Sequence, residues 1–283
     1  MNAPDQPIIN ACPLGCDDPL YPTSIEMPTG RLLGCGGCGQ LLGRCTHETY
    51  KSWELRFNTS SGTAPDKNAV RRSRKRIGRF LTHIRKTLNV PAEQIRLLDV
   101  GCSNGTLLKI AGEMGFNAEG IDPAVHAARA AVKEGLKVRT GVLEDAGFPP
   151  GTFDAVTLFE VIEHLRDPLA LLGECRKILR ENGVLVIGTG NAASWTAGVM
   201  GARWEYFRPA DHISLFNPRS ISLLAQRTGF RVQRIRTKNF RIYEKTDVPR
   251  FQYRLGRVIS ELVRPLTILA GTGHDMLVTL RPA

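Results

Sequence analysis

The chain has 283 residues, 42% hydrophobic and 23% charged, with a formal net charge of +11. That length holds one sizeable core and a small appendage. No apolar run reaches the ~18 residues that cross a bilayer, and Met1 to Asp5 shows neither the basic start nor the apolar stretch of a secretory signal, so a cytoplasmic protein is expected. Basic and acidic residues are unevenly spread. Lys and Arg outnumber Asp and Glu eleven to three over 48–90 and fifteen to six over 191–283, while 91–190 carries ten against fourteen. The basic flanks suggest an anionic partner, or simply a solvated face.

Residues 1–47 hold five of the seven cysteines: Cys12, Cys16, Cys35, Cys38 and Cys45. Cys35-Gly-Gly-Cys38 is a knuckle whose glycines let backbone amides turn toward thiolates, and Cys12-Pro-Leu-Gly-Cys16 is a looser partner. Two such pairs fit a tetrahedral zinc site of ribbon type, with disulfides as the competing reading in a more oxidising compartment. Three residues rather than two inside the first pair leave Cys45 or His47 as substitute ligands.

Over 48–90, Ser60 to Asp66 reads as linker. Ile77, Phe80, Leu81, Ile84 and Leu88 then recur at helical spacing beside a basic run from Arg71 to Arg76. This predicts a basic amphipathic helix that covers the main domain; holding nucleic acid is its less favoured alternative.

From 91 to 283 the main domain begins. Strands are expected at 95–100, 117–121, 137–141, 153–159 and 183–189, alternating with helices at 105–115, 124–134 and 168–181, as a parallel α/β sheet requires. Asp167-Pro168 should open the last of these helices and Asn182-Gly183 close it. A helix at 218–228, a strand at 231–237, a long helix at 248–270 and a strand at 275–281 complete the chain. Arg250, Arg254, Arg257 and Arg264 lie beside Val258, Ile259, Leu262, Val263 and Leu266 on the long helix. It reads either as a core-covering crossover or as a helix lying on an anionic membrane surface.

The stretch Leu97 to Gly105, Leu-Leu-Asp-Val-Gly-Cys-Ser-Asn-Gly, runs a buried strand into a glycine turn. Gly101 and Gly105 permit close approach to a ligand, and Asp99 welcomes a cationic amino-acid head where it would repel a phosphate. Asp122 ends the next strand and suits a ribose diol. The run resembles motif I of the class I S-adenosylmethionine (SAM) methyltransferases, and Asp122 matches their ribose acid. Phe153 to Phe159 and Glu160 to Pro168 resemble the fourth strand of that superfamily and its exit. The resemblance implies a Rossmann-like seven-stranded sheet with a reversed last strand, and SAM as cofactor. It implies a cofactor site of Asp99, Gly101, Cys102, Asn104, Gly105, Asp122, Leu143, Glu144 and Phe159, with Leu143 and Glu144 beside the adenine.

Methyl transfer from a sulfonium leaves alignment and removal of the acceptor's proton to the protein. Glu160, Glu163 and His164, spaced i, i+3, i+4, would share a face of one helical turn, and His212 could join them. The set resembles the metal site of small-RNA 2′-O-methyltransferases and ubiquinone-pathway O-methyltransferases. It predicts Mg2+ or a similar divalent cation on Glu160, Glu163, His164 and His212, or else His164, His212 and Glu163 in general-base catalysis. Cys102 and Cys175 read as inert core thiols, while Trp195, Trp204, Tyr206 and Phe207 read as stacking groups or loop packing. Similar enzymes joining a zinc knuckle to this domain belong to glycan and antibiotic-sugar pathways. The expected reaction is therefore O-methylation of a sugar hydroxyl on a small molecule or lipid-linked glycan, at the inner face of the membrane if the long helix docks there. RNA methylation and a non-catalytic scaffold are the alternatives.

Overall fold

The computed structural model describes residues 7–59, 67–208, 211–243 and 248–283. The elements in chain order are β1 (Leu20–Pro22), β2 (Leu33–Cys35), β3 (Leu41–Leu42), α1 (His47–Thr59), α2 (Lys67–Leu88), β4 (Arg96–Val100), α3 (Thr106–Glu113), β5 (Asn117–Asp122), α4 (Val125–Lys133) and β6 (Val138–Thr140). They continue with β7 (Phe153–Phe159), α5 (Pro168–Ile178), β8 (Leu179–Gly190), α6 (Trp195–Met200), β9 (Ser214–Leu215), α7 (Pro218–Arg227), β10 (Phe230–Lys238), α8 (Arg250–Leu269) and β11 (Asp275–Pro282).

Seven strands form one sheet in the order β10-β11-β8-β7-β4-β5-β6. β8, β7, β4, β5 and β6 run parallel, and β11 is antiparallel to both β8 and β10, the reversal that the resemblance implied. Alternation along the strands sorts side chains to two faces. Leu97, Val184 and Val186 pack with Ile77, Phe80, Leu81 and Ile84 of α2, which is thereby the predicted covering helix. Leu98, Leu185 and Ile187 pack on the other face with Leu171, Leu172 and Cys175 of α5 and Leu224 of α7. β4 has β5 on one side and β7 on the other, so the chain reverses direction across the sheet at its carboxyl end. Open α/β sheets bind ligands at such a point.

Residues 7–47 do not stand apart. β1, β2 and β3 pair antiparallel, and β3 then pairs with β9, so a second sheet crosses the expected boundary at residue 47. Leu14, Cys12, Cys35 and Cys38 belong to the same buried cluster as α5 and α7. The Asn217 side-chain amide, at the N-cap of α7, donates to the Gly39 carbonyl at 2.7 Å.

Three expectations need correction. Helix α1 lies where no element was assigned, because it buries none of its residues and its one periodic signal is the aromatic set Tyr50, Trp53 and Phe57. The linker-like stretch Ser60 to Asp66 falls outside the described residues. Helix α5 stops at Ile178 rather than at Asn182-Gly183, since Leu179 already pairs with Phe153 of β7. Gly183 instead serves a bulge in β8, where a Cβ would meet the Arg180 carbonyl oxygen at 2.8 Å. Of the two readings of helix α8, the core-covering crossover fails, since the helix buries only Gly256 and Thr267 and its large apolar residues face outward.

Candidate functional site

The glycine bend follows β4. Gly101 and Gly105 have φ of +75° and +78°, and a Cβ on either would lie 2.5 Å from Val161 Cγ2 or Leu136 Cδ1, so both positions demand glycine. Ser103 between them also has positive φ, 47°, as does Glu160, 55°, at the exit of β7. Such backbone costs of order 1–3 kcal/mol per residue and gathers at ligand sites. Here both instances flank the Val161–Gly101 contact, so the bend and the β7 exit form one wall.

Asp99 is buried and accepts a hydrogen bond from Thr157 Oγ1 at 2.6 Å. Burial pushes its carboxyl up to about 7, with Thr157 opposing and Asp122 adding to the rise. Asp122 accepts from the amides of Ser103 at 2.7 Å and Ala124 at 2.8 Å, tying the glycine bend to the turn after β5. Burial raises its pKa and those two amides hold the rise back. Cys102 is a core thiol whose sulfur fills the space left by Gly120, and burial pushes its pKa up. Cys175 is likewise fully buried. Asn104 accepts from Thr106 Oγ1 at 3.0 Å at the mouth of α3. Leu143 is buried in a short 3₁₀ turn, and Glu144 beside it is exposed. The ring of Phe159 packs on Phe80, centroids 4.4 Å apart.

The β7 exit is built differently from expectation. Residues Ile162–His164 form a 3₁₀ turn, and Glu160 precedes it in left-handed backbone, so helical spacing does not bring the three side chains together. Glu160 is held by Tyr206, whose hydroxyl donates to both carboxylate oxygens at 2.9 and 2.8 Å. Glu163, His164 and His212 do converge, offering ligand atoms within 4.8 Å of one another.

Each histidine has its tautomer set by a carbonyl. His164 Nδ1 donates to the Asp211 carbonyl at 2.8 Å, and His212 Nδ1 donates to the Tyr206 carbonyl at 2.9 Å. A carbonyl only accepts, so both Nε2 atoms keep their lone pairs. Arg208 donates to His212 Nε2 at 2.8 Å. Burial lowers both histidines, His212 to about 3 with help from His164 and Arg208, so both imidazoles are neutral. Glu163 is fully buried, and neither of its oxygens reaches hydrogen-bond geometry with a described residue, although Thr189 and Glu160 lie close enough to act on its carboxyl. Burial, then the charge of Glu160, raises its pKa well above the carboxylate range. A buried Glu163 carboxyl beside the open Nε2 lone pair of His164 fits a cation, and His212 Nε2 can join only by exchanging Arg208 for it. The donor set favours a borderline transition ion over Mg2+, which prefers oxygen ligands.

Three groups at this site were invisible in the sequence reading. Trp53 of α1 stacks on the His164 ring, centroids 5.1 Å apart and planes within 13°, and Phe57 stacks on Trp53. The Tyr50 hydroxyl donates to the His164 carbonyl at 2.9 Å. The spacing of Tyr50, Trp53 and Phe57 along one helical face was the available signal. Among the other aromatics, Trp204 and Phe207 are loop packing, while Trp195 is exposed.

Cys12, Cys16, Cys35 and Cys38 bring their sulfurs within 4.8 Å of one another, with Cys12 and Cys38 3.7 Å apart and no disulfide formed. A tetrahedron with Zn–S bonds of ~2.3 Å has edges of about 3.8 Å, so the four fit zinc. Cys45 lies elsewhere, its thiol directed to the Thr46 carbonyl; neither it nor His47 belongs to the cluster.

A family model described as a methyltransferase domain matches residues 70–235, more than half of the chain. The chain is similar to ubiquinone biosynthesis O-methyltransferases. It is 36% identical over 123 residues to that of Cereibacter sphaeroides, covering 41% of this chain and 50% of the relative. With that of Xanthomonas campestris pv. campestris it shares 35% over 120 residues, 38% of this chain and 49% of the relative. The chain thus matches about half the length of these curated relatives. A SAM-dependent methyltransferase structure from Archaeoglobus fulgidus has a TM-score of 0.53 at 20% identity, covering 76% of this chain and 100% of that one, which speaks for the fold. With the glycine bend at the switch point of a sheet whose last strand is reversed, and a family match across that region, the chain belongs to the class I SAM-dependent methyltransferases.

Proposed function

We propose that the protein transfers the methyl group of SAM to a hydroxyl of a small-molecule acceptor bound between the glycine bend and the Glu163–His164–His212 cluster. The observation that carries this reading is the convergence of the buried Glu163 carboxyl, the open His164 Nε2 and the Arg208-bound His212 Nε2 within 4.8 Å, one contact away from the bend through Val161. Asp99 would receive the ammonium of SAM, Asp122 its ribose, and the backbone from Gly101 to Gly105 its methionine portion. Leu143, Glu144 and Phe159 would complete the adenine end, Phe159 through its backbone. Glu163, His164 and His212 would hold a divalent cation, which supplies Lewis acidity toward an acceptor hydroxyl. Tyr206 keeps Glu160 in place and its carbonyl fixes His212, whose Nε2 would exchange Arg208 for the cation.

The relatives' name, ubiquinone biosynthesis O-methyltransferase, supports oxygen as the methylated atom and a quinone-pathway acceptor over a sugar. Trp53 adds a flat apolar wall beside His164, which suits a ring-bearing acceptor. We also infer that the four cysteines hold a structural zinc ion. The test incubates purified protein with SAM and hydroxyl-bearing candidate acceptors, before and after chelation, and seeks a gain of about 14 Da by mass spectrometry. Product that vanishes on chelation and returns with added cation, with SAM binding unchanged throughout, is the expected result. Turnover that survives full chelation removes the cation from the reading.

A further inference from the structure

Helix α8 is built inside out. Its half-buried and buried residues, Tyr253, Gly256, Ser260, Val263 and Thr267, recur every three or four positions and are mostly small or polar. Its opposite face carries Phe251, Leu255, Val258, Leu262, Leu266 and Leu269 at the same helical spacing, all exposed, with Phe251 at 75%, Leu262 at 73% and Leu269 at 88%. Contiguous exposed apolar surface of this kind marks a contact site. No helix among the described residues is long and apolar enough to cross a membrane, so α8 can only lie against its partner.

Charge decides between partners. Arg250, Arg254, Arg257 and Arg264 flank the apolar stripe, against a single acid, Glu261. The neighbouring edge strand β10 exposes Arg231, Arg234, Arg236 and Lys238, and α2 adds exposed Arg76 and Arg79 nearby. Burial and then this field of like charge depress Lys238 and His83, with only Asp275 opposing at Lys238. A second copy of the chain would bring two such arrays together, whereas anionic phospholipid headgroups would neutralise them while the stripe enters the acyl boundary. We propose that α8 docks the protein on an anionic bilayer surface. The register shows what this does for the site: Lys238, at the end of β10, faces Asp275, at the start of β11, which faces Gly190 at the carboxyl end of β8. Helix α8 therefore hangs from the sheet edge that carries the glycine bend, and docking turns that edge toward the lipid.

The test is co-sedimentation of the full chain with vesicles of phosphatidylcholine alone or with about a third phosphatidylglycerol, at low and high salt. Binding to the anionic vesicles only, weakened by salt, is expected. Leu262→Asp with Leu269→Asp should lower affinity about tenfold or more, with melting temperature and SAM affinity unchanged. Arg250→Glu with Arg254→Glu should abolish the salt-sensitive part. Absence of binding, equal binding to neutral vesicles, or binding indifferent to both double variants overturns the proposal. So does a concentration-dependent dimer in light scattering that Leu262→Asp dissolves, which would assign the face to a second copy.

Discussion

Asp99 has one hydroxyl partner and a carboxyl pushed up to about 7 by burial, while its proposed ligand is a cation that requires the ionised form. Two pH dependences of opposite sense follow. A carboxyl whose folded pKa lies above its unfolded value of 3.8 stabilises the empty protein below that value, and the contribution is lost as pH rises through about 7. SAM binding favours ionisation, so affinity should be level above about pH 7 and fall toward tenfold per unit below it. Calorimetric titration across that range checks the slope; Asp99→Asn should bind weakly and without it. Asp122 is a different kind of residue, since its oxygens already hold the amides of Ser103 and Ala124. Asp122→Ala orphans both amides and should cost about 1–3 kcal/mol of stability as well as SAM affinity. Unchanged denaturant midpoint and unchanged affinity would count against that double role.

Among the elements, α1 and strands β1 to β3 reach the site from residues that precede the family match at 70–235. Trp53 stacks on His164, which is proposed for the acceptor side of the site, so Trp53→Ala should raise the acceptor KM and leave the SAM Kd alone. A shift in SAM affinity of similar size would make α1 a general support instead. The cysteine sheet reaches the site through β3 and β9, because Ser214 of β9 is two residues from His212. Cys35→Ser should therefore release zinc, measured by elemental analysis, and also speed amide exchange at Ser214 and Leu215. Loss of zinc with undisturbed exchange at β9 would show that the two sheets are independent.

At the scale of the molecule, residues 7–45 pack into the same core as the methyltransferase sheet. Leu14, Cys12, Cys35 and Cys38 share a buried cluster with α5, α7 and the sheet, and the Asn217 side chain caps α7 while binding the Gly39 carbonyl. A chain beginning at residue 46 would expose the apolar faces of α5 and α7, and should lose the single cooperative unfolding transition of the full chain in calorimetry. Retention of one sharp transition would restore the picture of separable domains.

What the amino-acid order determined by itself was whatever depends on neighbours along the chain. The 3.6-residue stripe of α2, the strand-bend-helix around Asp99 and Gly101, the Asp167-Pro168 start of α5 and the paired cysteines all declare themselves within a dozen residues or so. The tertiary structure alone decided features set by distant partners. It drew Glu160 to Tyr206 and away from the Glu163–His164–His212 cluster, brought Trp53 onto His164 from 111 positions away, and joined the cysteine strands to β9. It also decided the orientation of α8. An apolar stripe reads the same whether it faces a core or the solvent, and only packing against β10 shows that the small residues of α8 point inward.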